Sequence, residues 1–136
     1  MKIKAGGFPF YIKSGTLYVC LFKSNNDYYG GDKPQMSKGH IDEGESPLDA
    51  ALRECHEELG IEKQWLENDA IFVDDFHFIG EVEDYTQAVF GFNVQCEKEV
   101  QIGTEGTGVW MEYAEAVKEI RTTQLPFLIQ LGEIVR

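Results

Sequence analysis

Basic residues are scarce in this chain. Against 24 Asp and Glu it sets only 12 Lys and Arg, a formal charge of −12 over 136 residues. That deficit argues against a duplex nucleic acid or an anionic membrane as partner, because either would demand a basic stripe. Long apolar runs are missing too: no stretch approaches the ~20 residues of a membrane span, and Met1-Lys2-Ile3-Lys4 lacks the apolar core of a signal peptide. A cytoplasmic protein is therefore expected. Cysteine is sparse: Cys20, Cys55 and Cys96 are odd in number and lack metal-ligand spacing, so reduced thiols are expected. The four prolines are scattered, with no repeat or low-complexity segment to mark a linker. One domain over residues 1–136 fits this length, and 43% hydrophobic residues suffice for a sizeable core.

What the chain does have is acid in a fixed pattern. Gly39 to Ile61 reads GHIDEGESPLDAALRECHEELGI. Ser46 suits an N-cap, Pro47 the first helical position and Asp49 the first turn, so a helix is predicted from Pro47 to Leu59 with Gly60 as its stop. At ~100° per residue, Leu48, Leu52, Cys55 and Leu59 share a core face. Glu54, Glu57 and Glu58, related by i, i+3 and i+4, gather on an adjacent one.

Carboxylates crowded into one turn repel one another, which raises their pKa values unless a cation intervenes. Read alone, such a run is an ordinary solvated helix face. Joined to Gly39, Glu45, Arg53 and Gly60, it points to a metal site. Oxygen-only ligands select a hard ion, Mg2+ first and Mn2+ as its substitute, and the absence of clustered His or Cys disfavours zinc. Just upstream, Lys38-Gly39-His40 reads as a loop that sets a cation, a flexible backbone position and an imidazole beside the acid, so a phosphate chain could bridge metal and Lys38.

The spacing Gly39, Glu45, Arg53-Glu54, Glu57-Glu58, Gly60 resembles the Nudix box. Seven such identities, at average usage of roughly one in fifteen each, would coincide about once in 10^8 starting positions. The resemblance implies that the Gly39 carbonyl and the carboxylates of Glu54, Glu57 and Glu58 bind metal. It also implies that Arg53 pairs with box carboxylates and orients Glu57, and that Glu45 braces the loop against the helix. Cys55, at a position usually aliphatic in the family, departs from the pattern only in packing. The implied reaction is substitution at phosphorus in a nucleoside diphosphate linked to another group, X. Family members differ in the group that takes the water's proton. Glu57 and Glu58 are candidates, as is Glu105 in Gly103-Thr104-Glu105-Gly106, where many members carry a glutamate; Glu97 and Glu99 are its rivals.

Elsewhere, Ile3 to Lys13 and Thr16 to Phe22 read as strands joined by a turn at Ser14-Gly15, and Ser24 to Pro34 as a loop. Ala70 to Glu81 and Tyr85 to Gln95 read as an antiparallel hairpin, Gly108 to Tyr113 as a strand, and Ala114 to Arg121 and Leu125 to Val135 as helices. Periodicity alone gives mixed α and β; the α/β class with an α/β/α sandwich and a mixed central sheet is what the resemblance implies. The Lys-Gly-His opening looks like the diadenosine polyphosphate and diphosphoinositol polyphosphate branches of the family. Few cations beyond Lys33 and Lys38 are available for an inositol pyrophosphate, so a dinucleoside polyphosphate such as diadenosine tetraphosphate is the favoured small-molecule substrate. Phe78 stands where such members often carry tyrosine, and Tyr85, Phe90 and Phe92 lie on a strand able to line a base pocket or fill the core. His56 and His77 read as structural or surface, whereas His40 adjoins the phosphate loop. A nucleoside triphosphate or ADP-ribose/FAD-type hydrolase, and a catalytically silent nucleotide-binding module, are the alternatives.

Overall fold

The computed structural model describes residues 2–24, 33–66, 69–78, 85–95 and 106–136. Strand β1 (Lys2–Lys13) turns through Ser14 and Gly15, both at positive φ, into β2 (Thr16–Ser24), its antiparallel partner over Phe10 to Lys13. Two successive positive φ values mark the hairpin turn whose twist matches that of the flanking strands. Below the hairpin the two strands part, and β3 (Ser37–His40) pairs with β1 instead, antiparallel from Lys4↔His40 to Gly7↔Ser37. The Lys38-Gly39-His40 segment, expected as loop, is thus strand. Along its other edge β1 runs parallel to β5 (Tyr85–Asn93). Strand β4 (Ile71–Phe78) adds antiparallel to β5 with an irregularity between Phe72 and Asp74, and β6 (Gly106–Glu112) adds antiparallel to β2. The six-stranded mixed sheet has the order β4-β5-β1-β2-β6, with β3 beside β1.

Helix α1 (Pro47–Leu59) has the predicted bounds because its caps are in the sequence. Ser46 Oγ accepts from the Asp49 N–H, Pro47 opens the first turn, and Gly60 at φ 73° closes it with its N–H on the last carbonyls. Ala50, Ala51, Cys55 and Leu59 are its buried residues, while Leu48 and Leu52 are only partly covered. The buried stripe is therefore rotated toward the alanines, and small residues let the helix sit close to the sheet. Ala5, Tyr11, Cys20, Phe22 and Phe92 meet it there. On the opposite sheet face, α2 (Tyr113–Glu119) and α3 (Leu125–Val135) cover Phe8, Phe10, Val19, Leu21 and Val89 with Ala116, Phe127, Leu128 and Leu131. Helices on both faces of one mixed sheet make the α/β/α sandwich. No helix among the described residues is long and apolar enough to cross a membrane.

Candidate active site

The acidic face of α1 stands against β3. Glu58 Oε1 accepts from the Ser37 hydroxyl at 2.8 Å and from the Lys38 N–H at 2.9 Å, so helix and strand are joined directly. Gly39 is the close-approach point, since a Cβ built there would collide with the Glu54 carboxyl group. Any side chain at position 39 would displace Glu54 or push the helix off the strand.

Arg53 is the hub. Its Nε and Nη2 hold both oxygens of Glu45 at 2.9 and 3.1 Å, a bidentate fork. Nη1 reaches Glu54 at 2.8 Å and Glu57 at 3.3 Å, and Nη2 also donates to the His40 carbonyl at 2.9 Å. Asp42, unremarked in the sequence, adds a carboxylate 3.5 Å from Nε, and its own N–H donates to Glu45. One guanidinium thus fastens loop, strand and helix together. His40 enters this network through its carbonyl.

The electrostatics follow from burial. Withdrawal from solvent pushes the Glu58 carboxyl up to about 7 against the pull of its Ser37 and Lys38 hydrogen bonds. Glu54 is raised by burial as well, with Arg53 opposing. Glu45, hydrogen-bonded by Arg53, is held below the usual carboxylate range. Lys38 is lowered to about 8, chiefly by burial and then by the fields of Lys4 and Arg121, while Glu58 and Glu54 oppose. The thiols of Cys20 and Cys55 are buried and free, with burial pushing Cys20 up to about 12 and Cys55 higher still, so both are inert.

The site therefore gathers Lys38, Gly39, His40, Glu45, Arg53, Glu54, Glu57 and Glu58. Among the described residues no three His, Cys, Asp or Glu side chains yet converge on a single point: Glu54 and Glu57 turn to Arg53, and Glu58 to β3. Their donor chemistry still fits a hard divalent cation. The donors are all oxygen, two of the carboxyls resist ionisation through burial, and the glycine cradle brings backbone against Glu54. Glu105, Glu97 and Glu99 lie outside the described residues. Phe78 and Tyr85 are paired across β4 and β5, but their side chains are outside the described set. Phe90 stacks on Phe92 and meets Phe72 edge-on, on the α1 side of the sheet. Ser37 and Asp42 were missed because neither belongs to the spacing pattern; only contacts within the fold bring them in.

Solved structures share this architecture. An Ap4A hydrolase from C. elegans, solved as a binary complex, superposes with a TM-score of 0.83 at 19% identity over 99% of this chain and 98% of that one. The NUDIX domain of Shewanella oneidensis NrtR, complexed with ADP ribose, superposes at 0.81 with 15% identity over 100% of this chain and 89% of that one. At such identities the likeness is one of fold. Two curated relatives, both named RNA pyrophosphohydrolase, match in sequence. That of Bartonella henselae is 39% identical over 75 residues, 55% of this chain, and that of Rhizobium meliloti 55% identical over 42 residues, 30% of this chain. The matched segments span 38% and 25% of those proteins' own lengths. The NUDIX domain model matches residues 5–131, nearly the whole sheet with its three helices, and on that match the chain belongs to the NUDIX family.

Proposed function

We propose that this chain hydrolyses the pyrophosphate linkage of a nucleoside diphosphate linked to X, with a dinucleoside polyphosphate such as diadenosine tetraphosphate as its leading substrate. The observation that carries the reading is the Arg53 hub, which holds Glu45, Glu54 and Glu57 beside the buried Glu58 and the close-packed Gly39. Glu54, Glu57, Glu58 and the Gly39 carbonyl would hold Mg2+ or Mn2+, which when bound supplies charge neutralisation at phosphorus and a more acidic water. The chain's own residues do the rest. Arg53 fixes the rotamers of Glu54 and Glu57, and Ser37 with the Lys38 N–H fixes that of Glu58. Lys38 lies one residue from this cluster and binds the phosphate chain. Glu57 and Glu58 are the candidates within the box for the group that takes the water's proton, with Glu105 as the rival outside the described residues. Phe78 and Tyr85 are proposed to contact the base.

A second reading follows the names of the sequence relatives: an RNA bearing a terminal pyrophosphate would present the same linkage, and only its end need enter the site. A third, suggested by the ADP ribose bound to the NrtR domain, is a site that binds without turnover. A product assay with magnesium separates the three. Diadenosine tetraphosphate, ADP-ribose, nucleoside triphosphates and a 5′-triphosphorylated oligonucleotide are presented side by side. AMP with ATP from the dinucleotide supports the first reading, pyrophosphate from the oligonucleotide the second, and binding with no product from any substrate the third.

A further inference from the structure

Met36 stands where the chain steps from one strand to another. Gln35 is bridged to Phe22 of β2, the two exchanging N–H to carbonyl bonds of 2.7 and 2.8 Å, whereas Ser37 already pairs with Gly7 of β1. Met36, between them, belongs to neither ladder, so its N–H needs a partner from elsewhere. Gln124 supplies it. Its Oε1 accepts from the Met36 N–H at 2.7 Å, and both residues are almost wholly buried. A second buried amide, that of Gln87 on β5, donates its Nε2 to Met36 Sδ at 3.3 Å.

Gln124 is itself held in place. It ends the turn between α2 and α3, where its N–H donates to the Arg121 carbonyl and the Arg121 N–H to the Pro34 carbonyl, both at 2.9 Å. Although Gln124 stands at the N-cap of α3, its side chain makes no cap bond and is turned to Met36 instead. The amide thus ties the layer of α2 and α3 to the backbone immediately before β3. From there the constraint crosses the sheet. Met36 belongs to the core with Phe8, Val89 and Leu128, whereas the Ser37 hydroxyl and the Lys38 N–H donate to Glu58 of α1, and Gly39 lies against Glu54. Since β3 is only four residues long, a bond at its first step bears on the placement of every residue in it.

We propose that Gln124 is a positioning residue for the site: by holding the Met36 N–H it sets β3 against α1, and with β3 the Gly39 carbonyl and the two bonds that orient Glu58. The inference rests on the proposed hydrolase reading for the use of metal at that site, and on the hydrogen bonds alone for the placement of the strand. Gln124 acts through the backbone of β3, from the sheet face opposite α1. Without the amide oxygen a buried N–H is left unmade, and the start of β3 moves to find water or another acceptor.

Two measurements test it together: amide hydrogen exchange by NMR on the metal-free protein, and Mn2+ binding followed by the EPR signal of the free ion. Gln124→Leu removes the acceptor, whereas Gln124→Glu keeps an oxygen in its place. Gln124→Leu is expected to speed exchange at the Met36 and Lys38 amides by at least about tenfold beyond any change common to the amides of β2, which report the whole fold. It should also weaken Mn2+ binding about tenfold or more, the usual effect of removing an outer partner of a metal site. Gln124→Glu should stay within about threefold of wild type in both. Faster exchange confined to Met36, a rise shared equally by β2, unchanged Mn2+ affinity in Gln124→Leu, or an equal loss in Gln124→Glu would each overturn the assignment. Should Gln124→Leu not fold, Gln124→Asn, which draws the same amide back by one methylene, carries the same expectations. The hydrolase reading fails separately, through a wild-type protein that neither binds Mn2+ nor turns over any substrate; exchange at the Lys38 amide then decides alone whether Gln124 places β3.

Discussion

At the scale of single residues, the site is organised by one cation rather than by its carboxylates. Arg53 meets Glu45, Glu54, Glu57 and the His40 carbonyl, and lysine could not replace it, because an ammonium cannot present a planar fork to Glu45 while reaching α1. Arg53→Lys should therefore lower kcat at least about tenfold and cost about 1–2 kcal/mol of stability through the hydrogen bonds it leaves unmade. Steady-state kinetics beside a urea melt measures both. Glu57→Gln is a sharper probe of the chemistry, since it is isosteric and its side chain is half exposed. We expect a fall in kcat of about 100-fold or more with little change in stability. Unchanged turnover under saturating magnesium would show the metal site to be wrongly assigned. Gly39→Ala tests the close approach: one methyl group against the Glu54 carboxyl should depress kcat even though alanine is otherwise well tolerated in a strand.

At the scale of elements, legibility tracked how local the determinants were. Helix α1 was readable to the residue because Ser46, Pro47 and Gly60 encode both ends within the segment itself. The box carboxylates were readable for the same reason, being one helical turn of sequence. Strand β3 was not: four residues with a glycine inside show no alternation, and the segment is strand only because β1 offers it an edge where β2 has departed. The parallel pairing of β1 with β5 joins residues some eighty positions apart and leaves no mark on either strand. The partners Ser37 and Asp42 escaped because only the folded chain brings them to Glu58 and Arg53. The junction of α1 with β3 has a pH signature. Glu58 is raised from 4.5 to about 7 in the folded protein, so between those values the native state binds more protons than the unfolded one. Stability accordingly falls as pH rises through that window, with the full cost, of order 3 kcal/mol, in place above about 7. Magnesium favours the ionised carboxylates and should offset that cost. Melting temperatures at pH 5 and pH 8, with and without magnesium, should show a metal-dependent rise that is larger at pH 8; an equal rise at both would mean that Glu58 is not part of the metal-linked equilibrium.

For the whole molecule, the governing number is the charge of −12, which opposes the anionic substrates proposed for its site. Cations are therefore used locally. Arg53 sits among the box carboxylates and Lys38 beside them in β3, so a phosphate chain would meet attraction only at the site and repulsion from the acidic surface around it. Such an arrangement has a different salt response from that of a protein with a basic face. A protein making 6–10 phosphate contacts along a nucleic acid loses about 10^3 to 10^5 in affinity between 50 and 200 mM salt. Here two or three local contacts weaken with salt while the long-range repulsion is screened by the same ions, and the two effects oppose each other. At fixed magnesium, kcat/KM for diadenosine tetraphosphate should thus change by less than about tenfold over that salt range. If the RNA reading were correct through an extended contact surface, a 5′-triphosphorylated oligonucleotide would show a far steeper decline as its length grows. Equal and shallow slopes for short and long oligonucleotides would instead mean that only the phosphorylated end is bound, which is the only way this acidic surface could accommodate a polymer.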